Sequence, residues 1–244
     1  MSRGSTVLIV SNSGKRARAN AERMTRLGFP PATYSSLITS GEVAWQALAE
    51  PRAPAYWHLG HRCLVIAGED DGSLLAGLPI EVVATPEQAE FVLLASISDD
   101  DQFSQYMTLL NRALVRGLPL VCTNPDRLRL TRHGTAPAVG ALAHEYEKMG
   151  GSVRFIGKPH PEVYRYARQQ FARYGAHRLL AIGDSLQHDI RGAQEAGIDT
   201  VFIRDGIFRE RFAACPAEQQ AALLQQLAAQ YDAYPDWVLP QLRW

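Results

Sequence analysis

The segment from Leu179 to Ile203, LLAIGDSLQHDIRGAQEAGIDTVFI, constrains the fold more than any other part of the 244-residue chain. A short apolar run ends at Gly183, and a polar loop, a helical pattern and a second apolar run follow it. This order predicts a βαβ unit with two parallel strands. Two acids, Asp184 and Asp189, follow the first strand. Because ligands of open parallel sheets bind beyond the carboxyl ends of the strands, we expect these acids to face a ligand.

Strands and helices alternate along the rest of the chain. Predicted strands lie at 7–10, 55–59, 63–67, 79–84, 91–95, 119–122, 153–156, 178–182 and 199–203, and predicted helices lie at 15–27, 39–49, 101–116, 137–149, 161–174, 189–196 and 217–230. This alternation predicts an α/β fold, with a Rossmann-like parallel sheet as its core. The strand-dense stretch 53–148 predicts a second α/β unit, inserted into a core made of residues 1–52 and 149–244.

The charge balance and the cysteines exclude several classes of protein. There are 25 basic and 25 acidic residues, so we expect no basic face for nucleic acid or for a membrane surface. No apolar run is long enough to span a bilayer. The three cysteines lie far apart and have neither disulfide-framework nor zinc spacing, which predicts a reducing cytoplasm. The six residues before the first strand are too few for a signal peptide.

Two further strands are followed by polar residues in the same way. Ser11 and Asn12 come after the first strand, and Lys158 follows the strand at 153–156. We expect these groups and the two acids to converge at one edge of the sheet, near helix N-termini. A lysine and a hydroxyl suit phosphate oxygens, whereas carboxylates suit Mg²⁺. Taken singly, each feature has a simpler interpretation: a helix cap for Ser11-Asn12, a surface lysine for Lys158, and a cap for Asp189.

Together these residues resemble three motifs of the haloacid dehalogenase superfamily. Motifs two, three and four of that family correspond to Ser11-Asn12, Gly157-Lys158-Pro159 and Gly183-Asp184-x₄-Asp189. The sequence TNPD at 123–126 is similar to that of the class IIA branch, which contains phosphatases of sugar phosphates and related small metabolites. That branch carries a large α/β cap between motifs two and three, where this chain has residues 53–148. The resemblance covers nearly the whole chain.

The resemblance implies a Mg²⁺-dependent phosphomonoester hydrolase that acts on a small phosphorylated metabolite. Ser11 and Asn12 would bind the transferring phosphoryl group, and Lys158 would complete the catalytic set by neutralising charge between the nucleophile and the phosphate. Asp184 would ligate Mg²⁺ directly or through water, and Asp189 would orient that metal cluster. Phosphoryl transfer depends mostly on such positioning and charge stabilisation.

The resemblance also assigns a role to the TNPD sequence. Thr123, Asn124 and Asp126 would face the core and help to select the substrate. An Asx-type turn before Arg127 is the simpler interpretation of the same residues. Dimerisation through the cap is implied at the level of the family.

One motif of the family is not found before the first strand. Motif one, Asp-x-Asp-Gly, precedes motif two, and its two acids are the nucleophile and the general acid and base. Only Met1–Thr6 precede the first strand, so we expect the sequence to lack the nucleophile and the family's central strand. Three hypotheses follow: a truncated Mg²⁺-dependent phosphatase, a non-catalytic descendant that binds a phosphorylated ligand or a protein, and a Rossmann-like binding module in which the motifs are only caps.

A second candidate for motif one lies within the sequence CLVIAGEDDG at 63–72. Glu69, Asp71 and Gly72 follow an apolar strand in the pattern Glu-x-Asp-Gly, and LVCTN at 120–124 would then be motif two. Glu replaces the nucleophilic Asp poorly, because one extra methylene misplaces the attacking oxygen. The alternative is a strand of the inserted unit that ends in an acidic turn.

Overall fold

The computed structural model describes residues 5–49, 59–68, 74–98, 103–131 and 134–243. The chain forms two compact units, Met1–Gly157 and Lys158–Trp244. Each unit is built of parallel strands and helices, which confirms the predicted α/β class. No helix in the described ranges is long and apolar enough to cross a membrane.

The first unit begins with a two-stranded parallel sheet. Strand β1 (Leu8–Ser11) pairs with β2 (Ser36–Thr39), and helix α1 (Ala17–Arg26) connects them. Gly28 follows this helix at φ +91°, a left-handed conformation that glycine adopts without steric cost. Helix α2 (Ser40–Ala49) continues directly from β2. The predicted helix at 39–49 is therefore confirmed, whereas β2 was not predicted.

A five-stranded parallel sheet forms the centre of the first unit. Its segment contains β3 (Arg62–Ile66), β4 (Glu81–Val83), β5 (Phe91–Leu94), α3 (Phe103–Val115), β6 (Leu120–Cys122), β7 (Leu128–Thr131), β8 (Gly134–Pro137), α4 (Val139–Lys148) and β9 (Val153–Phe155). The strand order is β4-β3-β5-β6-β9, and β7 and β8 form a separate antiparallel hairpin. All four residues of β5 are buried, as expected for a parallel strand covered on both faces.

Strand β9 lies in this sheet, and not with the residues that follow it. It pairs with β6, with Val153 opposite Leu120. We predicted that this strand belongs to the core segment 149–244, and here it pairs with a strand of the segment 53–148. The chain turns back after α4 at Gly150, at φ +93°, and the apolar strand returns beside β6. The division into a core and an inserted cap stays a prediction.

The second unit contains a three-stranded parallel sheet. Its elements are α5 (Pro161–Arg173), β10 (Leu180–Gly183), a π-helical turn (Leu186–Ile190), α6 (Arg191–Glu195), β11 (Asp199–Ile203), α7 (Arg209–Ala213), α8 (Gln220–Tyr231) and β12 (Trp237–Leu239). The strand order is β10-β11-β12. Its core packs Phe202 of β11 against the turn and the last two helices, through Leu186, Ile190, Phe208, Phe212 and Leu227. The predicted βαβ unit is confirmed, and α7 and β12 were not predicted.

Strands β1 and β10, which both lead into candidate site residues, are edge strands in the described ranges. Strand β1 has β2 as its neighbour, and β10 has β11. The outward side chains of β10 remain accessible, since Leu180 is 50% exposed and Ile182 is 48% exposed. Each strand therefore presents one sheet edge beside the residues that the sequence singled out.

Candidate functional site

The first group of site residues lies in the loop between β1 and α1. The Ser11 hydroxyl oxygen accepts the Ser13 backbone N–H at 3.2 Å, and the Ser13 hydroxyl oxygen accepts the Lys15 N–H at 3.3 Å. Asn20 Nδ2 on α1 donates to the same Ser13 oxygen at 3.1 Å. These local bonds fix the turn that carries the chain from the strand into the helix. They hold Ser11 and Asn12 at the carboxyl end of β1, where a parallel sheet binds ligands.

Asn12 contacts a residue that is 114 positions away in the sequence. Its Nδ2 donates to Asp126 Oδ1 at 2.8 Å, and Asn12 is only 8% exposed. The Asp126 backbone N–H in turn donates to Asn124 Oδ1 at 3.0 Å. The structure therefore brings together a predicted phosphate-binding residue and two predicted substrate-selecting residues. The bond within TNPD is also the Asx-type turn that the sequence left as an alternative.

Two glycines allow these loops to approach each other. A Cβ at Gly14 would overlap the Ala95 carbonyl oxygen and would lie 2.8 Å from Thr123 Oγ1. Gly157 adopts φ +127°, and a Cβ there would lie 2.9 Å from Asn12 Oδ1. The loop after β1 thus packs on the ends of β5, β6 and β9 at positions where no side chain fits.

Thr123 is one of the residues predicted to help select the substrate, and that role stays a prediction. It is fully buried, and its hydroxyl has no hydrogen-bond partner in the described part of the chain. It points toward Gly14 because β6 continues its buried pattern up to this residue. Asn124 and Asp126 are partly exposed and stay candidates for contact with a substrate.

The second group of site residues lies in the second unit. Lys158 Nζ forms an ion pair with Asp189 Oδ1 at 2.6 Å, and the two side chains are 18% and 14% exposed. The other oxygen of Asp189, Oδ2, accepts the Ser185 N–H at 3.0 Å. Both carboxylate oxygens of Asp189 are thus bound by protein donors. This arrangement suits a residue that orients the site better than a direct metal ligand.

Asp184 has a different environment at the start of the same loop. Its Oδ2 accepts the Ile207 N–H at 3.0 Å, and Gly206 packs so closely on the carboxylate that a Cβ would overlap it. No partner for Asp184 Oδ1 lies among the residues that the structure describes. One oxygen of this carboxylate is therefore open to a cation.

Asp184 and Asp189 suit Mg²⁺, because this ion binds few protein ligands. Mg²⁺ usually keeps several waters and binds one or two carboxylates together with substrate phosphates. Asp184 offers one such oxygen, with Asp189 in the same loop. Within the described ranges, no three His, Cys, Asp or Glu side chains are grouped to hold a metal. The donor set therefore suits Mg²⁺ bound with a phosphate, and not a closed all-protein metal cage.

Sequence reasoning missed three residues that hold the second group together. Ser185 caps the π-helical turn, since its hydroxyl oxygen accepts the His188 N–H at 3.1 Å. Ile207 binds Asp184, and Tyr164 binds the turn at His188. A serine before a helix was a usable capping signal, whereas the other two contacts join distant parts of the chain. The alternative motif one at 69–72 lies outside the described residues.

Comparisons with known proteins agree with the motifs. The family model of the haloacid dehalogenase-like hydrolases matches residues 9–197, and a second model, of HAD-hydrolase-like proteins, matches residues 155–243. Human chronophin (Homo sapiens) is 30% identical over 250 residues, which cover 98% of this chain and 80% of that protein. Dihydroxyacetone phosphatase of Corynebacterium glutamicum (strain R) is 32% identical over 126 residues. That match covers 51% of this chain and 45% of the relative, so the chain aligns with less than half of that protein.

Solved structures show the same relationship. A haloacid dehalogenase-like hydrolase from Brucella suis 1330 superposes with a TM-score of 0.75 at 30% identity, over 85% of this chain and 76% of that one. Glycerol phosphate phosphatase from Mycobacterium tuberculosis, in complex with magnesium, superposes with a TM-score of 0.67 at 28% identity, over 83% and 59%. The predicted resemblance to class IIA is confirmed. Since the first family model spans more than half of the chain, this protein belongs to the haloacid dehalogenase-like hydrolases.

Proposed function

We propose that this chain belongs to a Mg²⁺-dependent phosphatase that hydrolyses small phosphomonoesters. The observation that carries the proposal is the arrangement after β10. A lysine ammonium lies 2.6 Å from Asp189, and Asp184 in the same loop keeps one carboxylate oxygen open. A cation site and a fixed ammonium group in one unit suit the negative charge of a phosphoryl group.

Each residue has a definite task in this proposal. Asp184 would hold Mg²⁺ through Oδ1, and the ion would supply positive charge to the phosphoryl oxygens. Lys158 would neutralise further charge, while Asp189 keeps the ammonium in place. Ser11 and Asn12 would bind phosphoryl oxygens through hydroxyl and amide groups. These five residues bind and orient, and the attacking group is not one of them.

The proposed substrates are short phosphorylated metabolites. Two relatives are named for such compounds, namely dihydroxyacetone phosphatase and glycerol phosphate phosphatase. The partly exposed Asn124 and Asp126 offer polar groups beside Asn12, which suits the hydroxyls of a small polyol phosphate.

A binding function without catalysis is the second candidate. It is favoured because the residues after β1 and those around Asp184 and Asp189 supply hydrogen-bond donors and a cation site, but no nucleophile. In that case the chain would bind Mg²⁺ and a phosphorylated ligand and release no phosphate.

The test is phosphate release from p-nitrophenyl phosphate and from glycerol 3-phosphate, with Mg²⁺ and after its removal by EDTA. The parent is compared with Asp184→Asn and with Asp199→Asn, whose carboxylate is exposed at the start of β11. Activity that EDTA abolishes and Mg²⁺ restores, with a loss of at least about 100-fold in Asp184→Asn and none in Asp199→Asn, would support the phosphatase. Activity that survives EDTA, or that Asp184→Asn retains, would contradict the Mg²⁺ mechanism.

Calorimetric titration of the same proteins separates the two candidates. Binding of Mg²⁺ and inorganic phosphate without turnover by the folded parent would favour the binding function. Absence of both binding and turnover would reject both functions.

A further inference from the structure

The hydroxyl group of Tyr164 is bound to the backbone of the loop that carries Asp189. Tyr164 lies in the first half of α5 and is 6% exposed. Its Oη donates to the His188 carbonyl oxygen at 2.8 Å, and the Asp189 carbonyl oxygen lies at 3.4 Å. Burial, and then the charges of Asp189 and Glu195, raise the pKa of Tyr164. The phenol therefore stays protonated and acts as a donor.

The bonded carbonyls belong to the π-helical turn, which leaves regular helical hydrogen bonding at this point. Both the Asp189 and the Ile190 N–H groups donate to the same Ser185 carbonyl oxygen, at 2.9 and 3.1 Å. A short π-helical segment inside a helix is a frequent feature of functional sites. Here the π-helical turn sets the direction in which the Asp189 side chain leaves the backbone. Tyr164, which lies on α5, donates a hydrogen bond to this turn.

Gly192 makes the approach of Tyr164 to this turn sterically feasible. It lies in α6, and a Cβ at this position would be 2.5 Å from Tyr164 Oη and 2.7 Å from Pro159 Cα. The absence of a side chain thus lets α6 meet both the tyrosine and the residue that follows Lys158. The segment that carries the lysine and the turn that carries its carboxylate are packed together at one point.

We propose that Tyr164 is a positioning residue that sets the geometry of the Lys158–Asp189 pair. The carboxylate of Asp189 is fixed by Lys158 and by the Ser185 N–H, and its backbone is fixed by the tyrosine hydroxyl. Tyr164 lies six residues after Lys158, in the first turns of α5. The start of this helix therefore follows the lysine of the ion pair and contacts the turn that carries its carboxylate. This inference rests on the proposed function, because it concerns the Mg²⁺ and phosphate site of that function.

The test compares Tyr164→Phe with Tyr146→Phe. Tyr146 is also buried, and its Oη donates to the Leu118 carbonyl oxygen at 2.6 Å, but it lies on α4 in the first unit. Both variants lose one buried hydroxyl and keep the ring. The dissociation constant of Mg²⁺ is measured by calorimetry well below the melting temperature, together with amide hydrogen exchange in the segment 184–191.

We expect Tyr164→Phe to weaken Mg²⁺ binding by about tenfold, as is typical for groups that orient a metal site. Exchange in 184–191 should become faster in Tyr164→Phe, and Gly192→Ala should act in the same direction. Tyr146→Phe should lower the melting temperature and leave both readouts unchanged. Equal Mg²⁺ binding by the parent and Tyr164→Phe would overturn the role of Tyr164 and leave the proposed function intact. No Mg²⁺ binding by the parent would overturn the metal site, and this inference with it.

Discussion

Lys158 Nζ lies 2.6 Å from Asp189 Oδ1, although 31 positions separate the two residues in the sequence. The lysine comes just before α5 and the acid lies in the turn after β10, so the ion pair joins both ends of a helix-strand unit. The side chains are 18% and 14% exposed, and solvent screens such a pair less than a surface pair. The geometry of the two motifs is therefore linked to the stability of the second unit.

Asp189→Asn should destabilise the protein by about 1–3 kcal/mol, because it removes a charge-assisted hydrogen bond of a largely buried lysine. The matched control is Glu145→Gln, which breaks the 2.8 Å pair of Lys148 with Glu145. That pair is 63% and 43% exposed, so we expect a loss below about 0.5 kcal/mol. Urea unfolding at pH 7 measures both. Equal losses would show that the Lys158–Asp189 pair behaves as a surface pair.

Asn12 and Asp126 should be energetically coupled. The 2.8 Å bond from Asn12 Nδ2 to Asp126 Oδ1 has a charged acceptor and lies at a nearly buried amide. A double-mutant cycle with Asn12→Ala and Asp126→Ala should therefore give a coupling free energy of about 1–2 kcal/mol. A cycle of Asn12→Ala with Glu87→Gln is the control, because Glu87 pairs with Arg112 on the exposed surface. Additive effects in both cycles would contradict the coupling.

Gly14→Ala should destabilise the first unit through a steric clash. The new methyl group would overlap the Ala95 carbonyl oxygen, which belongs to the backbone and cannot rotate away. We expect a loss of about 2–3 kcal/mol, in the upper part of the range for overpacked sites. Gly28→Ala is the control, since it has open space around it and only a positive φ, and should cost about 1 kcal/mol. Thermal unfolding distinguishes the two, and a smaller loss for Gly14→Ala would contradict the close packing.

The fold was predictable because its strongest signals are local. The apolar run of β5 and the strand-loop-helix-strand pattern at 179–203 specify parallel strands without knowledge of distant contacts. Strand β12 could not be predicted in the same way. It is three residues long, and it follows Asp236, which contacts a residue far away in the sequence. Asp236 Oδ2 accepts both the N–H and the hydroxyl of Thr200 at 2.8 Å.

The candidate site was predictable in its residue types and not in its contacts. Polar residues at strand ends indicated Ser11, Asn12, Lys158, Asp184 and Asp189. No sequence pattern indicates that protein donors bind both carboxylate oxygens of Asp189, or that the Thr123 side chain is buried. Tyr164 was missed because an aromatic residue on the apolar face of a helix is usually a core residue. Its hydroxyl acquires a role only through a turn in another element.

The stability of the first unit should depend on pH through Glu42. Burial raises the pKa of this carboxyl group, but hydrogen bonds from Arg16 and from the Ala17 N–H outweigh burial and lower the pKa below its ordinary value. A lowered pKa means that Glu42 stabilises the folded state above the ordinary glutamate pKa. This contribution is lost as the pH falls through the folded-state pKa. Glu42→Gln should therefore cost about 1–2 kcal/mol at pH 7 and progressively less below about pH 4.

Urea unfolding of the parent and of Glu42→Gln between pH 7 and pH 3 measures this difference. Glu22→Gln is the control, because Glu22 is 62% exposed and lies 3.6 Å from Arg18 on the same helix. Its effect should be small at every pH, since exposed pairs contribute little. Glu42 also lies in the first turn of α2, where a negative charge is favourable, so Glu42→Asp should retain part of the stabilisation. A difference between the parent and Glu42→Gln that is constant from pH 7 to pH 3 would contradict the charged contact with Arg16.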